Sequence, residues 1–199
     1  MSLLAIDVGA GTQDILLFQE DVPLEGSTKM VLPSRTVLVA KRIKEAGEVG
    51  LDIFLRGPTM GGGACTRAAG RRVYAIPSAA ATFNDNLVRV AAMGVSIVQD
   101  ESDVPPSAQI IETGDVDLAA LGSALQLFDI DLPADIAVAV QDHGFSPERS
   151  NRLVRFEHMA AAIASGGGLR AFAYREPPPE MSRMKAVYDV LAGAGCRPL

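Results

Sequence analysis

The sequence predicts an α/β protein whose mixed sheet begins as an antiparallel unit. Residues 3–8 and 15–19 are apolar runs separated by a short connection with two glycines, which is the pattern of a β-hairpin. Residues 29–32 offer a third strand. Helical and strand patterns then alternate along the chain, which predicts a sheet with helices on both faces.

The later elements are predicted from apolar spacing and from glycine and proline at their ends. We expect helices at 36–46, 64–70, 79–93 and 115–128, and strands at 52–56, 73–76, 95–98, 136–140 and 169–174. Helical stripes also run from Leu153 to Ile163 and from Met181 to Leu191, and residues 197–199 read as the entry to another strand.

Composition favours a small molecule or another protein as the partner. The 199 residues carry 18 basic and 24 acidic side chains, and the net charge of −6 opposes non-specific binding to nucleic acid. Tryptophan is absent and aromatic residues make up 5%, so base-stacking surfaces are not expected. The two cysteines make no disulfide framework, and no apolar run approaches the ~20 residues of a membrane span. We therefore expect a soluble, cytoplasmic protein with no nucleic-acid and no membrane partner.

The connection between the first two strands has the composition of a phosphate-binding turn. Glycines at alternate positions let backbone amides approach an anion closely. The aspartate at the end of the first strand is suited to bind Mg²⁺ through water. An ordinary hairpin turn with an aspartate cap would explain the same residues. The candidate nucleotide-binding residues are Asp7, Gly9, Gly11, Thr12, Gln13 and Asp14.

Three successive glycines form a second candidate anion site. Gly61, Gly62 and Gly63 follow a predicted strand and precede a predicted helix, so their amides and the helix dipole could face an anion. The alternative is a flexible loop whose glycines permit close backbone packing. The loop is not a P-loop, because no Gly-Lys-Ser/Thr sequence follows it.

Polar residues follow the buried run 136–140, at the strand end where α/β sheets commonly bind ligands. Gln141 is suited to orient a water for attack on a phosphate, Asp142 to bind a metal or act as a base, and His143 to transfer a proton near neutral pH. Arg152 could hold an oxyanion through two hydrogen bonds. The alternative is a strand-end turn followed by a helix capped by serine.

Residues 6–18 resemble the first phosphate motif of actin, the sugar kinases and the heat-shock chaperone ATPases, in which Asp-x-Gly-x-x-Thr joins the first two strands. With 32–34, 59–63, 138–144 and 150–156, this turn resembles an uncharacterised family of actin-like proteins labelled as a pyruvate formate-lyase activating enzyme. The resemblance implies an actin-like, ribonuclease-H-type fold. It also implies Mg²⁺ with ATP or ADP at the Asp7 turn.

The resemblance predicts a division of the chain. We expect one actin-like lobe over residues 1–199 with an α/β insertion at about 58–133, and a second lobe that these residues do not include. The actin-like assignment predicts that 3–8, 15–19, 52–56 and 136–140 are buried strands of a single sheet. It also predicts that the Asp7 turn and residues 141–143 face one cleft.

The labelled activity itself is not expected. An activating enzyme of that type binds an iron–sulfur cluster through a Cys-x-x-x-Cys-x-x-Cys run. Cys65 and Cys196 are too few and too far apart to supply that run. We therefore expect no iron–sulfur cluster and no radical chemistry of this class.

Three functions stay open on this reasoning. The first is the nucleotide-binding lobe of an actin-like ATPase or phosphotransferase, with Asp7 and Asp142 as ligands of Mg²⁺. The second is a non-catalytic binding or regulatory module that keeps the fold and serves a protein partner. The third is an enzyme acting on a small phosphorylated metabolite at the loops 61–63 and 141–144.

Overall fold

The computed structural model describes residues 1–68, 72–142 and 144–199. The strands are β1 (Ser2–Val8), β2 (Thr12–Gln19), β3 (Thr28–Pro33), β4 (Ile53–Arg56), β5 (Val73–Ala75), β6 (Ser96–Ile97), β7 (Gln109–Glu112), β8 (Asp135–Val140) and β9 (Arg197–Pro198). The α-helices are α1 (Arg35–Glu48), α2 (Cys65–Ala68), α3 (Pro77–Ala80), α4 (Leu87–Ala92), α5 (Leu118–Gln126), α6 (Asn151–Ala164) and α7 (Ser182–Gly193). Short 3-10 helices occur at Leu24–Gly26, Glu101–Asp103 and Gly168–Phe172.

The first sheet has five strands in the order β3-β2-β1-β8-β9. The three N-terminal strands are antiparallel to one another, and β8 and β9 continue the sheet parallel to β1. The predicted hairpin and third strand are confirmed, and so is the strand entry at the last residues. Because β8 pairs directly with β1, the residues that follow these two strands emerge at the same edge of the sheet.

The second sheet has four parallel strands in the order β6-β5-β4-β7. This arrangement corrects the prediction of a single sheet, because residues 52–56 contribute β4 to the second sheet and not to the first. The predicted insertion at 58–133 contains the partners of β4 but not β4 itself. Apolar spacing identified the strand, but it carries no information about the sheet that the strand joins.

The two larger of three buried apolar clusters each pack against one sheet. Alternate residues of β1, namely Leu4, Ile6 and Val8, are buried in the first core with Leu121 and Leu125 of α5. The buried face of α1 instead packs in the second core, with the strands of the second sheet; it consists of Val39, Ile43 and Ala46. The helix α1 therefore starts at the end of the first sheet and covers the second.

Two predicted elements are wrong and one was missed. The helix expected at 79–93 is divided into α3 and α4, because the Asn86 side chain accepts hydrogen bonds from the amides of Val88 and Arg89 and starts a new helix. The strand expected at 169–174 is instead covered largely by the 3-10 helix Gly168–Phe172; this run has no β-branched residue. The strand β7 was not predicted, since only two apolar residues, Ile110 and Ile111, mark it.

The other predicted helices and strands are present, with ends that differ by a few residues. The last two residues of the helix expected at 64–70 lie outside the described residues. Among the helices that the structure describes, none is long and apolar enough to cross a membrane.

A buried arginine ties the two sheets together. The Arg35 side chain is 7% exposed, and its Nη2 donates to the carbonyl oxygen of Glu112 on β7 at 2.9 Å. Its Nη1 lies 3.0 Å from Oδ2 of Asp117, whose Oδ1 caps α5 by accepting from the amide of Ala120. Arg35 thus links the start of α1 to the second sheet and to the helix that covers the first.

The fold predicts that Arg35→Met is strongly destabilising. Methionine keeps the apolar stem but leaves the Glu112 carbonyl and the Asp117 carboxylate without the guanidinium, which should cost about 1.5–3 kcal/mol. In the control, Lys41→Met removes an exposed ion pair with Glu45 on the same helix and should cost at most ~0.5 kcal/mol. Urea unfolding of both variants measures the difference, and equal midpoints would contradict this role for Arg35.

Candidate functional site

A cleft of about 940 Å³ opens where β1 and β8 end and where the glycine loop, residues 59–63, follows β4 of the second sheet. It brings together several sequence-predicted residues, namely Asp7, Gly9, Gly61, Gly62, Gly63 and Gln141. Of residues 141–143, which were expected to share a cleft with the Asp7 turn, Gln141 does so. The other predicted site residues in the described chain do not line it: Gly11, Thr12, Gln13, Asp14, Asp142 and Arg152. His143 lies outside the described residues.

The turn after β1 is held by one buried serine. Ser34, which is fully buried, donates its hydroxyl to the carbonyl of Ala10 at 3.1 Å and its amide to the carbonyl of Gly11 at 3.0 Å. The amide of Gly9 donates to the carbonyl of Thr12 at 2.9 Å. The amides of Ala10 and Gly11, in contrast, donate no hydrogen bond to any group in the described part of the chain. Of these two residues, Ala10 lines the cleft, so its amide is the one available to an anion there.

The two glycines of this turn have different roles. A Cβ atom at Gly9 would lie 2.9 Å from the carbonyl oxygen of Thr12, so a side chain there would push the turn apart. A Cβ atom at Gly11 would meet nothing within 4 Å. Gly9 is therefore required by the close approach of the backbone, whereas Gly11 is not.

Asp7 and Asp14 are exposed and stand directly opposite each other on β1 and β2. The Thr12 hydroxyl donates to the Asp14 carboxylate at 3.4 Å. Asp7 borders the cleft, while Asp14 lines a separate apolar cavity that Asp7 also borders. Gln13 points the other way, into the core, where its Nε2 donates to the carbonyl of Pro33 at 3.1 Å. Gln13 therefore stabilises the turn through a hydrogen bond to β3 and does not face the cleft.

The glycine loop is fixed in place by its neighbours. The amide of Gly61 donates to Oδ1 of Asp115 at 3.1 Å, and its carbonyl accepts from the Thr36 hydroxyl at 2.8 Å. A Cβ atom on Gly62 would lie 1.7 Å from the carbonyl oxygen of Thr82, which no side chain can tolerate. At Gly63 the same atom would meet nothing within 4 Å. The loop is therefore a rigid packing element, and its helix α2 has four residues, too few to contribute much of a dipole.

A buried ion pair connects this loop to the other side of the cleft. The Asp115 side chain is fully buried, and both of its oxygens accept hydrogen bonds from Nε and Nη2 of Arg183 at the start of α7. The remaining nitrogen, Nη1, donates to the carbonyl of Gln141 at 2.8 Å. One guanidinium thus holds the glycine loop, through Asp115, and the Gln141 backbone in a fixed relation.

Asp142 has a structural role that its sequence position did not reveal. It is 9% exposed; its Oδ1 accepts from the amide of Gly144 at 2.9 Å and its Oδ2 from the amide of Met184 at 2.7 Å. A carboxylate at this point satisfies an amide in the first turn of α7 and stabilises the positive end of its dipole. The neighbouring Gln141 side chain is exposed at the cleft.

Magnesium fits this site through Asp7. Among the described residues, no group of three or more histidine, cysteine, aspartate or glutamate side chains could hold a metal ion. Mg²⁺ bound with a nucleotide needs one or two carboxylates, because phosphate oxygens and waters complete its coordination. The exposed Asp7, which lines the cleft with the undonated Ala10 amide, satisfies that requirement.

The family is decided by a sequence comparison. The family model described as "Putative pyruvate format-lyase activating enzyme (DUF1786)" matches residues 60–198. The chain belongs to this family. Neither the comparison with curated proteins nor the comparison with solved structures gave a match.

The residues matched to the family cover most of the cleft but not the Asp7 turn. They include the glycine loop from Met60 onward, Asp115, Gln141 and Arg183. The family description repeats the label that the sequence resemblance carries.

Cys65, beside the glycine loop, is packed and not reactive in character. It is 1% exposed, and its thiol lies 3.5 Å from the carbonyl oxygen of Thr36. Burial raises the pKa of the Cys65 thiol to about 11. At neutral pH this side chain is therefore a thiol, which is a poor nucleophile.

Sequence reasoning missed the two arginines of the cleft. Arg155 lines it, whereas Arg152, three residues earlier on α6, is exposed outside it. The sequence could have pointed to Arg155 as well, because it lies three residues after Arg152 and residues three apart share a helix face. No sequence signal marks the pairing of Arg183 with Asp115, because these residues are 68 positions apart.

The glycine loop yields a sharp stability prediction. Gly62→Ala should destabilise the protein by at least about 3 kcal/mol, or prevent folding, because its methyl group would overlap the Thr82 carbonyl. Gly63→Ala, one residue along, should change stability by no more than about 0.5 kcal/mol, because the space there is open. Thermal unfolding of the matched pair checks this, and two variants of similar stability would refute the packing role of Gly62.

Proposed function

We propose that the cleft binds the phosphate groups of ATP or ADP together with Mg²⁺, so that this chain forms the nucleotide-binding lobe of an ATPase or phosphotransferase. The observation that carries the proposal is the convergence, in one cleft, of Asp7, the undonated amide of Ala10 and the glycine loop. Amides, a carboxylate for the metal and an arginine are the groups that recur at polyphosphate sites.

The actin-like likeness is proposed for the five-stranded sheet alone. The antiparallel unit β1-β2-β3, followed by the parallel strands β8 and β9, supports it. The strand β4 counts against the form in which we expected it, since that strand belongs to the second sheet. On this proposal the second sheet is an addition between α1 and α5 that supplies one wall of the cleft.

Arg155 is the cation that the proposal assigns to the terminal phosphate. Arg183 is 14% exposed and is already neutralised by Asp115, so it positions the loops rather than binding an anion. Arg155 borders the cleft, and its guanidinium carbon lies 5.6 Å from the Phe156 ring centroid. A guanidinium held in this way can form two parallel hydrogen bonds to a phosphate.

Gln141 is assigned the task of orienting the attacking water or acceptor hydroxyl. Its side chain is exposed at the cleft, and Arg183 fixes its backbone. Asp142 is not assigned a proton-transfer role, because both of its oxygens are engaged with the amides of Gly144 and Met184.

The engagement of Asp142 favours a second candidate function, a module that binds nucleotide without hydrolysing it. Phosphate release from Mg·ATP, measured for wild type and Gln141→Ala, separates the two candidates.

The metal assignment predicts a large effect of Asp7. Asp7→Ala should weaken Mg·ADP binding at least tenfold, about 1.4 kcal/mol, because the carboxylate that faces the metal is removed. Asp21→Ala, at an exposed aspartate after β2 and away from the cleft, should leave binding unchanged. Isothermal titration calorimetry with and without Mg²⁺ measures both. The proposal fails if wild type binds no nucleotide at millimolar concentration or if Asp7→Ala binds as wild type does.

The cation assignment is tested by two arginines on one helix. Arg155→Ala should weaken Mg·ATP binding about tenfold through loss of a charge-assisted contact, and Arg155→Lys should restore part of the loss. Arg152→Ala removes the same charge from the same helix but outside the cleft, and should change the Kd less than about twofold. Equal effects of the two alanine variants would show a general charge effect and overturn the assignment.

A further inference from the structure

Two apolar surfaces are left uncovered by the described residues of this chain. The helix α6 carries an exposed stripe of large side chains, in which Leu153 is 57%, Phe156 53% and Ile163 62% exposed. Their spacing of three and seven residues puts them on one face, as on helices that bury that face. In contrast to α5 and α7, α6 has no buried residue among its described side chains.

The second surface is a cavity of about 930 Å³ on the first sheet. Its floor is formed by residues that alternate with the buried residues of β1 and so face away from the first core. Ala5 pairs with Leu16 on β2 and with Ala137 on β8, which gives a flat, apolar floor across three strands. Tyr174 and Tyr188 form part of its wall. Parallel strands such as β1 and β8 are normally covered on both faces.

The two surfaces differ in net charge, since Asp7 and Asp14 outnumber Lys29 in the cavity, whereas two arginines outnumber one glutamate on α6. Asp14, which lines the cavity, is exposed beside Val31 on β3. Arg152 is exposed on α6 next to Leu153 and, in contrast to Arg155, lies outside the nucleotide cleft. The 3-10 helix Gly168–Phe172 links the two surfaces, since it follows α6 and its Phe172 lines the cavity.

We propose that a second copy of this chain covers both surfaces, with α6 of each protomer seated on the sheet cavity of its partner. The apolar stripe would lie over the alanine floor, and Arg152 would approach Asp14 of the other protomer. A helix of 14 residues is about 21 Å long. Two such reciprocal contacts would bury on the order of 1,500 Å², the size of a standard stable interface. The proposal does not depend on nucleotide binding.

Sedimentation velocity over a concentration series tests the dimer. The mass obtained for wild type should be twice the chain mass of 20.9 kDa. Ile163→Glu on the stripe and Val31→Glu at the cavity, both at exposed positions, should each shift the equilibrium to monomer by at least tenfold in Kd. Leu127→Ser, which removes an exposed leucine outside both surfaces, should leave the dimer intact. A monomeric wild type, or a dimer that neither glutamate variant weakens, would overturn the proposal.

Mixing the two glutamate variants distinguishes the reciprocal contact from other dimers. The intact helix of Val31→Glu can occupy the intact cavity of Ile163→Glu, so the mixture should dimerise more tightly than either variant alone. A mixture that dimerises no better would show that the two surfaces do not meet, and would leave helix-to-helix pairing or another protein as the occupant. Circular dichroism of each variant confirms that loss of the dimer is not loss of the fold.

Discussion

The cleft depends on one buried carboxylate. Asp115 has a fully buried side chain and is neutralised by Arg183, while the Gly61 amide donates to the same oxygen as Arg183 Nη2. A buried charge without such partners would cost several kcal/mol, so these groups must stay together in the folded protein. Because Arg183 also donates to the Gln141 carbonyl, the glycine loop, the end of β8 and the start of α7 are joined by hydrogen bonds to one ion pair.

Each wall of the cleft therefore comes from a different core. The first sheet supplies the Asp7 turn, which Ser34 supports from beneath. The second sheet supplies the glycine loop, which follows β4. Arg35 joins this sheet to α5 through its ion pair with Asp117. Arg35 and Arg183 therefore each connect an element packed on the first sheet to an element of the second. Asp7 borders both the cleft and the apolar cavity. On the two proposals, the nucleotide and the second protomer would therefore both approach the end of β1.

Local structure could be predicted from the sequence where a short-range rule applies. Apolar runs predicted β1, β2 and β8, and the glycines between the first two runs predicted the tight turn that joins them. The shared cleft could also be predicted, because parallel neighbouring strands end at one edge. These inferences need only neighbours in sequence or in one sheet.

Long-range partners could not be predicted in this way. The sequence of β4 fits either sheet, and its choice depends on packing against α1. Asp142 has the residue type of a catalytic group, yet it caps α7 because an amide 42 positions away needs an acceptor. The pairing of Arg183 with Asp115 follows from the docking of two units, which no local pattern encodes.

A crystal structure of the protein grown with Mg²⁺ and ADP would test the central claim most directly. The account predicts that the phosphate groups lie between the Ala10 amide and the glycine loop, with Mg²⁺ facing Asp7 and the Asp115–Arg183 pair unchanged. A nucleotide bound in the apolar cavity by Tyr174 and Tyr188, or a cleft without phosphate at saturating ADP, would contradict it.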